Sequence, residues 1–300
     1  MRKCLVLACL FLVVNNLLAL KPKVGYDWKP NNFGLIFKEY KAPTSDGFKI
    51  NVWFYPAQKA LDDDSLKFYI NNMNAVRPYI PDTVKRPTIV ICDGDANNMQ
   101  YQLGFARAYC TQGFNVITFD WRGFGGSQPF PMDTNYLVYP EFIKDYDAVI
   151  DFAKYLPSVD GNRIGVFGYS TGAYLSFYIA SQRPEIKAMV GRGIFTDYQN
   201  VLPNLRKLSP ERELMLPEGM DNNSPRSNWQ SFKKPLFLIV GELDDRTPKE
   251  NSIEILKNIK SNIRELWVVN KAEHGGMKAP EVIEWEMFLK KTTRFFNENL

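Results

Sequence analysis

The chain has 300 residues, a formal net charge of +4 and a single histidine, and 45% of its residues are hydrophobic. This size and apolar content suit one large α/β domain, and no repeat or low-complexity tract indicates a second domain. The absence of a basic run interleaved with aromatic residues argues against a nucleic-acid partner, and one histidine excludes a histidine-rich metal site.

The start of the chain resembles an export signal in its pattern. A basic pair at residues 2–3 precedes an apolar stretch over residues 4–20, interrupted only by two asparagines. The pattern predicts a signal peptide over residues 1–20 and a secreted or periplasmic protein of residues 21–300. Two alternatives stay open, an uncleaved membrane anchor at the short limit for a span and a lipoprotein attached at Cys9. Membrane association is expected only if this segment is retained.

The next elements indicate a chain in which strands and helices alternate. A hairpin is predicted over residues 35–39 and 48–55, around a turn signal at 44–47, and a surface helix follows the acidic run at 62–64. Later strands alternate with helical segments, which implies a mostly parallel sheet with helices on both faces. These strands are predicted over residues Thr88–Cys92, Asn115–Phe119, Arg163–Phe167, Ala188–Gly191, Leu236–Val240 and Glu265–Val269.

Two cysteines lie beyond the predicted signal peptide, Cys92 at the end of a strand and Cys110 late in the following helix. A helix that starts near Asn98 and runs back along the sheet carries Cys110 roughly 18 Å from that strand end. A disulfide needs Cα atoms within about 7 Å. Both are therefore expected to be buried thiols.

The run Gly168–Gly172 reads G-x-S-x-G and lies between an apolar strand and an apolar helix that begins at Ala173. This context is typical of a nucleophile elbow, a sharp turn that presents the hydroxyl of Ser170. A serine hydroxyl is a weak nucleophile unless a base takes its proton, and imidazole suits that task near neutral pH. His274 is the only histidine in the sequence, so it is the only candidate for this base.

An acid to orient this histidine is expected after the strand that ends at Val240. The turn there carries adjacent aspartates, and the spacing G-x-x-D-x-x-x-P favours Asp244 over Asp245. Asp245 or Glu242 is expected instead to cap the next helix. The catalytic triad is thus predicted as Ser170, Asp244 and His274, in the chain order Ser-Asp-His of a hydrolase elbow.

Together these residues resemble the α/β-hydrolase superfamily. The segment Asp120–Ser127 looks like the D-x-R-G-x-G-x-S tail that follows the fourth strand of that family. The loop Asp93–Met99 is similar to the H-G-N-A-G-N loop of a subgroup that includes depalmitoylase-like and serine-aminopeptidase-like hydrolases. The resemblance implies an α/β-hydrolase fold with a mostly parallel sheet of about eight strands, helices on both faces and a helical cap inserted over residues 193–232. The leucines of that insertion are expected either to form an acyl-binding wall or to pack the cap against the core.

The resemblance also implies an oxyanion hole made of the backbone N–H groups of Thr171 and Asp95. The loop departs from the family at two positions, where Asp93 replaces its histidine and Asp95 its asparagine. A carboxylate beside a developing negative charge opposes it unless it points away, is hydrogen-bonded or is protonated. Two interpretations stay open, that the acids tie the loop down or that they influence substrate choice.

The sequence therefore predicts an exported serine hydrolase that cleaves a carboxylic ester, thioester or amide through an acyl-enzyme. It predicts a small-molecule substrate, no cofactor and no metal. An acyltransferase or aminopeptidase on the same scaffold is one alternative, and a binding protein that has kept the fold without activity is another.

Overall fold

A computed structural model describes residues 20–79 and 84–300 of the chain. Apart from Leu20, the predicted signal peptide over residues 1–20 lies outside the described residues. Within those two ranges, no helix combines the length and the apolar character that a bilayer span needs.

The strands and helices alternate along the chain. The strands are β1 (Lys21–Pro22), β2 (Lys38–Pro43), β3 (Lys49–Tyr55), β4 (Arg86–Cys92), β5 (Ala96–Asn97), β6 (Asn115–Phe119), β7 (Val159–Tyr169), β8 (Ile186–Arg192), β9 (Leu236–Gly241) and β10 (Arg264–Val269). The helices are α1 (Asp63–Asn71), α2 (Leu103–Cys110), α3 (Phe142–Lys154), α4 (Thr171–Gln182), α5 (Tyr198–Leu208), α6 (Pro225–Asn228), α7 (Lys249–Asn258), α8 (Pro280–Ile283) and α9 (Trp285–Asn299).

Eight of the strands form one mixed sheet in the order β10-β9-β8-β7-β4-β6-β3-β2. The six strands from β10 to β6 run parallel, while β3 and β2 add an antiparallel edge. The chain order reverses at β4, which lies between β6 and β7. Ligands of open α/β sheets bind at such a switch point, beyond the carboxyl ends of the strands. The predicted mostly parallel sheet of about eight strands is confirmed.

Most predicted strands differ from the observed ones only at their ends, but the first strand of the hairpin is displaced. It was expected over residues 35–39 and is observed over Lys38–Pro43. The register pairs Lys38 with Phe54 and Pro43 with Lys49, so the strand continues up to the turn. A strand that ended at residue 39 would leave Lys49 to Val52 of β3 without ladder partners in β2. The strand β7 is also longer than expected, because it begins at Val159.

The core lies on both faces of the sheet, as the continuous apolar runs of the central strands require. Along β4, Ile89 and Ile91 belong to the apolar cluster that includes residues of α2 and α9, whereas Val90 and Cys92 belong to the cluster that includes residues of α3 and α4. Cys110 lies in the α2 cluster, so the two cysteines belong to opposite faces of the sheet. Both are free and buried, as expected.

A two-stranded ribbon that sequence analysis did not predict joins the start of the described chain to the loop after β4. The strands β1 and β5 pair in parallel, with Lys21 opposite Ala96 and Pro22 opposite Asn97. The ribbon continues in a backbone hydrogen bond from Gly25 N–H to the Gly125 carbonyl. The segment 20–25, here called the N-terminal strap, is thereby attached to two of the loops at the carboxyl edge of the sheet.

The predicted cap over residues 193–232 contains α5, α6 and a short 3-10 turn over Met220–Asn223. Helix α5 begins where the Asp197 side chain accepts a hydrogen bond of 2.7 Å from Asn200 N–H. The Arg226 side chain pairs with Asp197 and, at 2.8 Å, with Glu254 of α7. The first ion pair joins the two ends of the segment to each other, and the second attaches the segment to the body of the fold. The role of the segment as a cap stays a prediction.

Candidate active site

The turn between β7 and α4 has the geometry of a nucleophile elbow. Ser170 adopts φ 52° and ψ −122°, a conformation that side-chain-bearing residues rarely take. A Cβ at Gly172 would lie 2.0 Å from the Asp93 carbonyl oxygen, and one at Gly168 would lie 2.6 Å from Cα of Ala173. Both glycines of G-x-S-x-G are therefore needed for close backbone contact. The strained turn leaves the Ser170 side chain at the carboxyl edge of the sheet.

The structure brings the three predicted triad residues into one hydrogen-bonded line. The Ser170 Oγ lies 3.1 Å from His274 Nε2, and His274 Nδ1 lies 2.8 Å from Asp244 Oδ2. His274 follows β10 and Asp244 follows β9, and only 4% and 5% of their surfaces are exposed. A buried acid on one ring nitrogen and a hydroxyl on the other is the arrangement that lets imidazole accept a proton from serine.

Asp244 is held in its ionised form by its neighbours. Its Oδ1 accepts from the N–H of Thr247 at 2.8 Å, and its Oδ2 accepts from the Thr247 hydroxyl at 3.0 Å. Burial opposes ionisation, but the interactions with His274 and with Thr247 outweigh it, and the pKa of Asp244 is lowered. The Thr247 hydroxyl also lies 3.1 Å from His274 Nδ1. Sequence analysis missed Thr247, although a hydroxyl three residues after the acid is a recognisable turn signal.

The two other acids of this loop have different roles from those expected. Asp245 is exposed, and the Glu242 carboxylate accepts a hydrogen bond of 3.0 Å from Lys271 N–H, which ties the two loops together. Helix α7 begins after Pro248 without a side-chain cap. The prediction that Asp245 or Glu242 caps this helix is therefore wrong, because proline already fixes the backbone at the helix start.

A buried arginine fixes the backbone of His274. Arg192, the last residue of β8, donates to the His274 carbonyl oxygen and, at 2.6 Å, to Glu281 Oε1 on α8. Its guanidinium lies 3.7 Å from the ring centroid of Tyr169, whose hydroxyl donates to the same carbonyl at 3.3 Å. Sequence analysis missed this support, and a charged residue at the carboxyl end of an apolar strand was its only signal.

The two predicted oxyanion residues line the same cavity as Ser170 and His274. Thr171 is the first residue of α4, so its N–H has no partner within the helix and points out of the helix start. The Asp95 carbonyl accepts a hydrogen bond of 2.8 Å from Lys21 N–H, and the Asn97 carbonyl accepts one of 2.9 Å from Lys23 N–H. The N-terminal strap thus fixes the loop that carries the Asp95 N–H.

The two acids of this loop differ in their contacts. The Asp93 Oδ1 accepts from Gly94 N–H at 2.8 Å, as expected for an acid that ties the loop down. Burial raises the pKa of Asp93 to about 7, and hydrogen bonds from Gln102 and Gly94 only partly oppose the rise. Asp95 instead lines the cavity. Burial raises its pKa too, against the opposing charges of Arg246 and His274.

The cavity beside Ser170 has a volume of about 40 Å³, far below the several hundred Å³ of typical ligand pockets. Its outer wall is made by the predicted cap, through Phe195, Tyr198, Val201 and Leu205. Of the cap leucines, Leu205 reaches the cavity, whereas Leu202 and Leu214 are buried in the core. Within the described part of the chain, no group of three or more His, Cys, Asp or Glu side chains is placed to hold a metal ion.

Comparisons with known proteins agree with this architecture. The model of the prolyl oligopeptidase family matches residues 101–300. An uncharacterised protein of Mycobacterium tuberculosis (strain CDC 1551) is 28% identical over 255 residues, which span 85% of this chain and 77% of that protein.

Two solved structures are similar in fold. The Pyrococcus furiosus esterase Pf2001 superposes with a TM-score of 0.71 at 22% identity, over 93% of this chain and 99% of that one. A puromycin-hydrolyzing peptidase of M. tuberculosis superposes with a TM-score of 0.66 at 16% identity, over 90% of this chain and 40% of that one. With the family match over two thirds of its length, the chain belongs to the prolyl oligopeptidase family and is a hydrolase of the α/β-hydrolase type.

Proposed function

We propose that the protein is an exported serine hydrolase that cleaves a carboxylic ester, thioester or amide of a small or acyl-chain substrate through an acyl-enzyme. The observation that carries the proposal is the hydrogen-bonded line from Ser170 through His274 to Asp244 at the switch point of the sheet. Family membership and the fold shared with an esterase and a peptidase support the same reaction class. Export rests on the apolar segment at residues 4–20 alone.

The chemistry follows from the order of the contacts. His274 Nε2 takes the proton of Ser170 as its Oγ attacks the substrate carbonyl carbon, and Asp244 stabilises the imidazolium through Nδ1–H. The N–H groups of Thr171 and Asp95 would donate to the oxyanion. The imidazolium then returns its proton to the leaving group, which departs as alcohol, thiol or amine. A water molecule, deprotonated by His274, then attacks the acyl carbon. The bond to Ser170 Oγ breaks, the acid leaves, and the imidazolium returns its proton to Ser170.

Access to Ser170 limits the substrate. A cavity of about 40 Å³ holds little more than a small acyl group, so a longer chain requires the wall formed by α5 to shift. The longest acyl chain that the enzyme hydrolyses would therefore indicate how far the predicted cap opens.

The proposal is tested with a panel of p-nitrophenyl esters of increasing chain length, run beside acyl thioesters and aminoacyl anilides. We expect turnover of at least one class, abolished in Ser170→Ala. Turnover that persists in Ser170→Ala would contradict the proposal. Added alcohols or amines as acceptors identify an acyltransferase, because acyl transfer to them then exceeds hydrolysis.

A further inference from the structure

One buried residue contacts both the nucleophile turn and the loop that carries the base. The carbonyl oxygen of Arg192, the last residue of β8, accepts a hydrogen bond of 2.9 Å from Ser170 N–H. The guanidinium of the same residue donates through Nη1 to the His274 carbonyl oxygen. His274 belongs to neither a helix nor a strand, because it lies between β10 and a 3-10 turn over Gly276–Lys278. Arg192 therefore attaches the loop of His274 to the turn that carries the nucleophile.

Two neighbours hold the guanidinium of Arg192. Its Nη2 donates to Glu281 Oε1 of α8 at 2.6 Å, and it lies 3.7 Å from the ring centroid of Tyr169. The side chains of Arg192 and Glu281 are only 4% and 15% exposed, so water screens this ion pair poorly. A planar guanidinium donates in several fixed directions at once. The ion pair with Glu281 on one nitrogen therefore orients the other nitrogen towards the His274 carbonyl.

The buried charge of Arg192 also bears on the reaction. Burial opposes the charged form, but the interactions with neighbouring groups outweigh burial and raise the pKa of Arg192. The groups that act in this direction include Glu281, Tyr169 and Asp244. Proton transfer from the nucleophile creates a second cation, the imidazolium of His274, which Asp244 stabilises. Without a counter-charge Arg192 would oppose that imidazolium, and the Glu281 carboxylate supplies the counter-charge.

We propose that Arg192 and Glu281 are positioning residues of the hydrolase. Arg192 fixes the loop of His274 against the nucleophile turn, and Glu281 acts through Arg192 by orienting its guanidinium and compensating its charge. The inference rests on the proposed function, since it concerns the base of that reaction. Both residues lie outside the set that lines the cavity beside Ser170, so their replacement should change kcat rather than KM.

The first test measures kcat and KM for Arg192→Met, with kcat expressed per site that a fluorophosphonate labels at completion. We expect kcat to fall by about 10- to 100-fold while KM changes little, because a misplacement of about 1 Å between reacting groups has an effect of this order. Arg192→Lys keeps the buried charge but lacks the planar fork, so its kcat should lie between those of wild type and Arg192→Met.

A double-variant cycle tests whether Glu281 acts through Arg192. Glu281→Gln should also reduce kcat, by less than Arg192→Met does, because the guanidinium remains but loses its orientation and its counter-charge. The combined variant Arg192→Met/Glu281→Gln should lose no more than Arg192→Met alone, since the carboxylate has nothing to orient once the guanidinium is absent. Losses that multiply in the combined variant would overturn the inference.

Arg122→Met is the matched control, because Arg122 forms another buried ion pair, with Asp145 at 2.7 Å, outside the cavity beside Ser170. It should lower Tm and keep the wild-type kcat per labelled site. A wild-type kcat in Arg192→Met, or a loss of kcat in Arg122→Met as large as that in Arg192→Met, would overturn the inference.

If Arg192→Met does not fold, Arg192→Lys and Glu281→Gln provide the test, and a wild-type kcat in both would overturn the inference. Absence of both labelling and turnover in wild type would instead contradict the proposed function.

Discussion

The loops after β9 and β10 and the loop after β4 approach Ser170 from different sides, and their acids are held in different ways. On the first side Asp244 accepts hydrogen bonds from His274 and Thr247, and its pKa is lowered. On the second side burial raises the pKa values of Asp93 and Asp95. The first side therefore keeps its acid ionised for the reaction, whereas burial favours the protonated form of the acids on the second side.

The largest expected effect lies on the first side. Ser170→Ala and His274→Ala should each reduce kcat by about 10⁶-fold, and the double variant should lose little more, because the two residues act as a unit. Steady-state kinetics give the kcat of each variant, and circular dichroism verifies that each variant is folded. Losses that multiply in the double variant would show that the residues act independently.

Replacing the acid should reduce kcat less than replacing the nucleophile or the base. Asp244→Asn should reduce kcat by about 10⁴-fold, because an amide favours the wrong imidazole tautomer. Asp245→Asn, an exposed neighbour in the same turn, is the control and should have little effect. The opposite ranking would assign the acid role to Asp245.

A smaller effect is expected where the N-terminal strap contacts the second side. Lys23→Pro removes the N–H that donates to the Asn97 carbonyl and should reduce kcat by about 10- to 100-fold, because the loop that carries the predicted oxyanion donor Asp95 N–H is displaced. Lys23→Ala keeps that N–H and should retain kcat. If both variants behave alike, the strap does not position the loop.

The smallest effect concerns the stability of the second side. The pKa of Asp93 is raised to about 7 from an ordinary value of 3.8, so between these values the folded state binds more protons than the unfolded state. Its contribution to stability therefore falls as the pH rises from about 4 to 7, and Asp93→Asn removes that fall. The difference in Tm between Asp93→Asn and wild type should increase from pH 5 to pH 8. A difference that is constant with pH would show that Asp93 titrates normally.

Sequence analysis predicted the three residues that the structure brings together on the first side, because each of them lies in a short pattern with one stereochemical meaning. G-x-S-x-G requires glycine where backbones come within 3 Å, and the only histidine left no choice of base. The supports of this side were missed, since Arg192 and Glu281 are 89 residues apart and their pairing depends on the fold.

The second side was harder to predict for a different reason. A strand of two residues such as β1 or β5 has no periodicity, so nothing in the sequence indicated that the N-terminal strap pairs with the loop after β4. The loop pattern suggested an oxyanion donor at Asp95, but the different environments of Asp93 and Asp95 depend on which side chain lines the cavity.

Active-site labelling with a fluorophosphonate tests the central claim, that Ser170 is a nucleophile activated by His274, most directly. Intact mass spectrometry of wild type should show one phosphonyl group, and peptide mapping should place it on Ser170. Ser170→Ala should remain unlabelled, and His274→Ala should react far more slowly. A label on another residue, or equal labelling of Ser170→Ala, would contradict the account.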